Sequence, residues 1–135
     1  MNTREKLDCI LLVDDDSINN YINERLLKKL HVANSIRIAV NGEEAIEMIK
    51  EYCNSHNNCC PEIILLDINM PVMNGFEFIE SFQKLEIKNK GKVTITILTS
   101  SSNTKDIEKI RSLGNYPYIN KPLTEQKLKD LLIKV

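Results

Sequence analysis

CILLVDDDS, residues 9–17, sets a continuous apolar run directly against three consecutive carboxylates. An apolar run this short suits a strand buried on both faces, as in a parallel sheet, rather than a strand wetted on one side. Parallel strands need crossover connections, most simply helices. The stretch therefore predicts a strand over 9–13, a helix soon after Ser17, and further strands of the same kind.

The rest of the chain alternates as that start requires. Ser17 is a suitable N-cap, and Ile18, Tyr21, Ile22, Leu26 and Leu30 recur at helical spacing as the apolar face of a first helix. SIRIAV (35–40) predicts a second strand. Asn41, followed three residues later by Glu44, looks like a capped helix start, with Ala45, Ile46, Ile49 and Tyr52 along one face. CNSHNNCCP (53–61) is polar and turn-like. EIILLD (62–67) predicts the third strand, INMPVMNG (68–75) a loop, and Phe76 to Leu85 a helix. IKNKGK (87–92) reads as a solvated connection and VTITIL (93–98), rich in β-branched residues, as the fourth strand. A helix over Thr104 to Leu113 should end at Gly114, and YPYIN (116–120) is a short fifth strand with Pro117 at its start. In the last helix Thr124 is the cap and Leu128, Leu131, Leu132 and Val135 form the apolar stripe. Strands and helices in strict alternation predict an α/β fold, a five-stranded parallel sheet with helices on both faces.

Length and composition narrow the function classes. At 135 residues the chain is most simply one domain, and 42% hydrophobic with 27% charged residues is ordinary for a globular protein. A formal charge of -1 advertises no basic face for nucleic acid. The apolar runs are of strand length, so none predicts a membrane span. MNTREKLDC (1–9) does not resemble a signal peptide, which makes the cytoplasm the expected location. In that compartment the four cysteines are expected to be reduced thiols.

In an open α/β sheet, ligands bind beyond the carboxyl ends of the strands. Those ends carry Asp14, Asp15 and Asp16, then Asp67, then Thr99 and Ser100, then Lys121 and Pro122. Hard oxygen donors suit Mg²⁺, and a lysine with a hydroxyl suits a phosphoryl group. Two like charges ~4 Å apart repel by roughly 4 kcal/mol at an effective dielectric of about 20, so clustered carboxylates need partners. A divalent cation and Lys121 would cancel the charge of Asp14, Asp15 and Asp67. Three adjacent residues leaving a strand cannot all face one ion, which makes Asp16 the turn into the helix.

VDDDS (13–17), LLDINMPVMNG (65–75), LTSSS (98–102) and YINKP (118–122) resemble, in order and spacing, the motifs of the response-regulator receiver domain of two-component signalling. The likeness runs from about residue 8 to the C-terminus, and is nearest to chemotaxis-regulator-like, stand-alone receivers with no output domain. It implies the flavodoxin-like strand order 2-1-3-4-5. It makes Asp67 the phosphoacceptor, with Asp14, Asp15, Asp67 and the Asn69 backbone carbonyl around Mg²⁺. Lys121 and Thr99 would meet the phosphoryl group, beside a small Ser100. Thr99 and Tyr118 would form the switch, Asn69 and Ser101 would tune hydrolysis, and Lys121-Pro122 would be a cis bond. The implied partners are a histidine kinase or histidine phosphotransfer protein, and a downstream protein on the face of the fourth helix, fifth strand and last helix. Catalysis would be limited to the domain's own phosphorylation and dephosphorylation.

Competing readings attach to several of these residues. Acids after a strand are also favoured by the dipole of the following helix. A lone Lys121 or Thr99 would be an ordinary surface lysine and strand-end threonine, Tyr118 an edge-strand packing residue, and Met70 and Met73 packing rather than ligands. Cys53, His56, Cys59 and Cys60 offer soft ligands that zinc would accept, although their spacing departs from paired C-x₂-C. A haloacid-dehalogenase-type phosphatase would want a second acid where Asn69 stands. A flavin module would want a Ser/Thr-rich phosphate loop where Asp14 to Asp16 stand.

Overall fold

The structure is a computed structural model, and it describes residues 6–54, 60–70, 72–87, 90–99 and 104–134. The elements run β1 (Leu7–Val13), α1 (Ser17–Lys29), β2 (Ala33–Ala39), α2 (Gly42–Asn54), β3 (Ile63–Asp67), α3 (Gly75–Lys84), β4 (Thr94–Thr99), α4 (Thr104–Leu113), β5 (Tyr118–Asn120) and α5 (Glu125–Lys134), with one 3-10 turn at Lys90–Lys92. All strand pairs are parallel, in the order β2-β1-β3-β4-β5. The expected alternation and order are both present.

The apolar runs are continuous because successive side chains serve opposite faces of the sheet. Leu11, Val13, Ile64, Leu66, Ile95 and Ile97 pack with α2, α3 and α4. Ile10, Leu12, Ile63, Leu65 and Leu98 pack on the other side with Leu27 of α1 and Leu128, Leu131 and Leu132 of α5. Val135 lies outside the described residues. Met70 is buried in the first core and Met73 packs against it, so the loop methionines are packing residues.

Several local expectations are corrected. Asp16, not Ser17, caps α1, its carboxylate accepting from the backbone N–H of Ile18 and Asn19. Replacing Asp16 by alanine should cost about 1 kcal/mol. That would lower the melting temperature by about 3 °C, and an unchanged melt would contradict the capping role. The buried face of α1 is also rotated from the one expected. Ile18, Tyr21 and Ile22 are 67, 57 and 56% exposed, Leu26 and Leu30 are only partly covered, and the buried positions are Asn20 and Leu27. In α2 the buried face ends on Cys53, with Tyr52 half-buried beneath the Arg37 guanidinium at 4.6 Å. Lys90 is not simply solvated: its ammonium donates to the carbonyls of Gln83 and Leu85 at the end of α3.

The cysteines differ most from expectation. Cys53 and Cys60 form a disulfide, with Cα atoms 4.4 Å apart. The expectation of reduced thiols rested on compartment alone, whereas the fold returns the chain from the end of α2 to the start of β3. Sulfurs bonded to each other are not thiolate ligands, so the four-ligand zinc set cannot form with this bond in place. His56 and Cys59 lie outside the described residues. Cys9 is a free, buried thiol.

Candidate functional site

Strand register assembles the site. Val13 is level with Leu66, so Asp14 emerges beside Asp67. Asp67 is level with Leu98, which puts Thr99 one step further out. Thr99 is level with Asn120, so Lys121 follows directly. Four residues far apart in the chain thus meet at one edge. One oxygen each from Asp14, Asp15 and Asp67 lies within 4.8 Å of the others.

Asp14 and Asp67 are buried and Asp15 is exposed, so the cluster is open on one side. Lys121 Nζ donates to Asp67 Oδ1 at 3.1 Å. Burial pushes the Asp67 carboxyl above its ordinary range, and the Asp14 charge adds to this. The Lys121 hydrogen bond and charge, and the backbone N–H of Asn69, pull the other way without cancelling the rise. Three carboxylates against one ammonium leave a formal charge of -2. An all-oxygen set with that charge, open to solvent, fits a hard divalent cation.

Helix starts fix the surrounding loops. Gly75 opens α3 with its N–H on Ile68 O at 2.8 Å. A Cβ there would sit 2.8 Å from Ile68 Cα and 3.0 Å from Asp67 O, so only glycine lets α3 begin this close to the site. Asn74 and Glu77 make a reciprocal capping box. Asn41 caps α2 as expected, accepting from the Glu44 N–H. The Lys121-Pro122 bond is cis.

Thr99 is buried, and its carbonyl accepts the Lys121 N–H at 2.7 Å. Asn69 is exposed beside Asp67. Tyr118 is 43% exposed and borders a cavity of ≈ 490 Å³ whose lining includes Thr99, Ile68, Ile97, Ile110 and Arg111. Ser100 and Ser101 lie outside the described residues. Asn19 and Asn20 belong to the site without having been expected there. Asn19 Nδ2 reaches Asp14 Oδ2 at 3.5 Å, and Asn20 Nδ2 donates to Asp14 O at 2.8 Å. The available signal was two amides, five and six residues beyond Asp14, inside an otherwise amphipathic helix. Among the described residues, no helix is long and apolar enough to cross a membrane.

The family model of the response regulator receiver domain matches residues 10–133. Two-component response regulator 24 of Arabidopsis thaliana is 31% identical over 134 residues, covering 99% of this chain and 88% of that protein. Hybrid signal transduction histidine kinase B of Dictyostelium discoideum is 34% identical over 140 residues, covering 97% of this chain but 6% of that protein. Among solved structures, a two-component response regulator from Cytophaga hutchinsonii superposes with a TM-score of 0.83 at 34% identity, covering 96% of this chain and 97% of that one. These likenesses lie with neither the phosphatase nor the flavin module.

Proposed function

The chain belongs to the response regulator receiver domain family, and from that premise we propose that it is a phosphoacceptor switch of a two-component phosphorelay, charged on Asp67. The observation that carries this is the Lys121 ammonium held 3.1 Å from a buried Asp67 carboxylate, at the point where Asp14 and Asp15 converge. An Asp67 oxygen attacks the phosphorus of a phosphohistidine in line. The phosphorus–nitrogen bond breaks, the leaving imidazole takes a proton, and an acyl phosphate remains on the carboxylate. Lys121 shifts its hydrogen bond towards the incoming phosphoryl oxygens, and the Thr99 hydroxyl donates to another. Asp14, Asp15, Asp67 and the Asn69 carbonyl would hold Mg²⁺, which supplies charge neutralisation for the phosphoryl oxygens.

The donor is a histidine kinase or a histidine phosphotransfer protein. Ile18, Tyr21 and Ile22, exposed on the helix that starts at the acidic edge, support a donor seated there. Phosphorylation biases Thr99 and Tyr118, and the signal leaves through α4, β5 and α5 to a downstream protein. Asn69, beside the phosphoryl position, sets the hydrolysis rate together with Ser101. The domain catalyses its own phosphorylation and dephosphorylation and no other reaction. We read the described fold as one receiver unit acting in the cytoplasm; the coverage of the Arabidopsis and Cytophaga proteins, 88% and 97%, supports the single unit.

The test is to incubate the chain with acetyl phosphate, with and without Mg²⁺, and to map the adduct by mass spectrometry. A single Mg²⁺-dependent phosphoryl group on the peptide containing Asp67 is expected. An adduct confined to any other peptide would overturn the assignment.

A further inference from the structure

Asn20 sits in the first turns of α1 at 4% exposure, while Ile18, Tyr21 and Ile22 around it face solvent. A helix that buries an amide beside Leu27 and exposes three large apolar residues is not oriented by hydrophobic burial alone. The additional bond is Asn20 Nδ2 to Asp14 O, 2.8 Å long and itself buried. The other half of the amide gains nothing from its position: Oδ1 is buried with no hydrogen-bond partner. Leaving a buried acceptor unmatched is unfavourable, and a leucine of similar size would avoid it. The bond to Asp14 O is therefore what the amide contributes at this position.

That carbonyl belongs to the peptide unit joining Asp14 to Asp15. Asp14 is tied separately, its N–H donating to Ala39 O and its Oδ1 accepting the Asp16 N–H. Fixing the carbonyl in addition fixes the peptide plane, and so the direction in which the Asp15 side chain leaves the backbone. We infer that Asn20 is a positioning residue, holding the Asp14–Asp15 peptide so that the two carboxylates converge on one cation. The inference rests on the reading of these acids as the Mg²⁺ site.

Isothermal titration of Mg²⁺ into the full chain tests it, comparing wild type, Asn20→Leu and Leu27→Ala. Leu27 lies in the same helix, fully buried in the core with Ile10 and Leu12. Its truncation should lower the melting temperature and leave Mg²⁺ affinity at the wild-type value. Asn20→Leu should weaken Mg²⁺ binding about tenfold, as loss of a ligand-orienting partner does. Wild-type affinity in Asn20→Leu overturns the inference, and so does an equal loss in Leu27→Ala, which would make affinity a matter of general loosening. A wild-type chain that binds no Mg²⁺ sinks the site reading itself, a different failure. If Asn20→Leu does not fold, the side-chain amide resonances of Asn20 in the ¹⁵N-labelled wild type decide. They should shift when Mg²⁺ is added, and resonances that stay in place overturn the inference.

Discussion

Asp67→Asn is expected to take up no phosphoryl group from acetyl phosphate and Mg²⁺ under conditions that label the wild type. A carboxamide has no anionic oxygen to attack phosphorus, and it removes a third of the negative charge that gathers the cation. Asp14 does not replace it, because its Oδ1 is engaged by the Asp16 N–H and its Oδ2 faces Asn19. Intact mass spectrometry reads the result directly, and full labelling of the variant would remove Asp67 from the mechanism. The same substitution should stabilise the metal-free protein. The Asp67 carboxyl lies above its ordinary value of 3.8 in the folded chain. An acid raised on folding supports the fold below its unfolded pKa and loses that support as the pH climbs through the folded value. At neutral pH the ionised group is therefore a burden, and its removal should raise the melting temperature by about 3 °C. The gain should disappear below pH 3.8, where the wild-type carboxyl is protonated in both states.

Lys121→Met is expected to slow labelling by about 100-fold, the usual consequence of removing one preorganised donor from developing oxyanion charge. Its effect on stability has the opposite sign. The lysine supplies the two largest influences that hold the Asp67 carboxyl down, so without it that carboxyl rises further. The variant should be about 1 kcal/mol less stable at neutral pH, a figure kept small because the Lys121 side chain is 33% exposed. That loss, too, should vanish in acid, once Asp67 is neutral. Chemical melts of Lys121→Met in the Asp67→Asn background separate the pair from the packing. There the lysine substitution should cost almost nothing, and an undiminished cost would assign its effect to the aliphatic stem rather than to the charge.

Much of this arrangement was legible in the chain. The strands announced themselves because a strand covered on both faces must be apolar at every position, as in Ile63 to Leu66. The site residues could be collected because strand ends are where such a sheet opens, and their register was then forced by parallel pairing. What escaped had tertiary causes. Periodicity identified α1 as a helix, but Ile18, Tyr21 and Ile22 form as good a stripe as the face that is buried. The buried face carries, besides Leu27, Asn20 reaching the Asp14 carbonyl just past β1, a residue that hydropathy assigns to solvent. Ser17 and Asp16 are equally good caps in composition, and only the turn at Asp14 decides between them. The Cys53–Cys60 bond depends on α2 ending where β3 begins, a distance in space that spacing in sequence does not carry.

The short bond from the Lys121 N–H to Thr99 O has a further consequence. The two groups that would face a phosphoryl ligand from the β4–β5 side are not independent reporters, because one peptide hydrogen bond yokes their backbones. A displacement of Thr99 drags the Lys121 main chain along, and through it the three-residue β5 with Tyr118 at its other end. On the proposed reading, occupancy at Asp67 would therefore be felt by this short edge strand as a unit rather than by Thr99 or Lys121 alone.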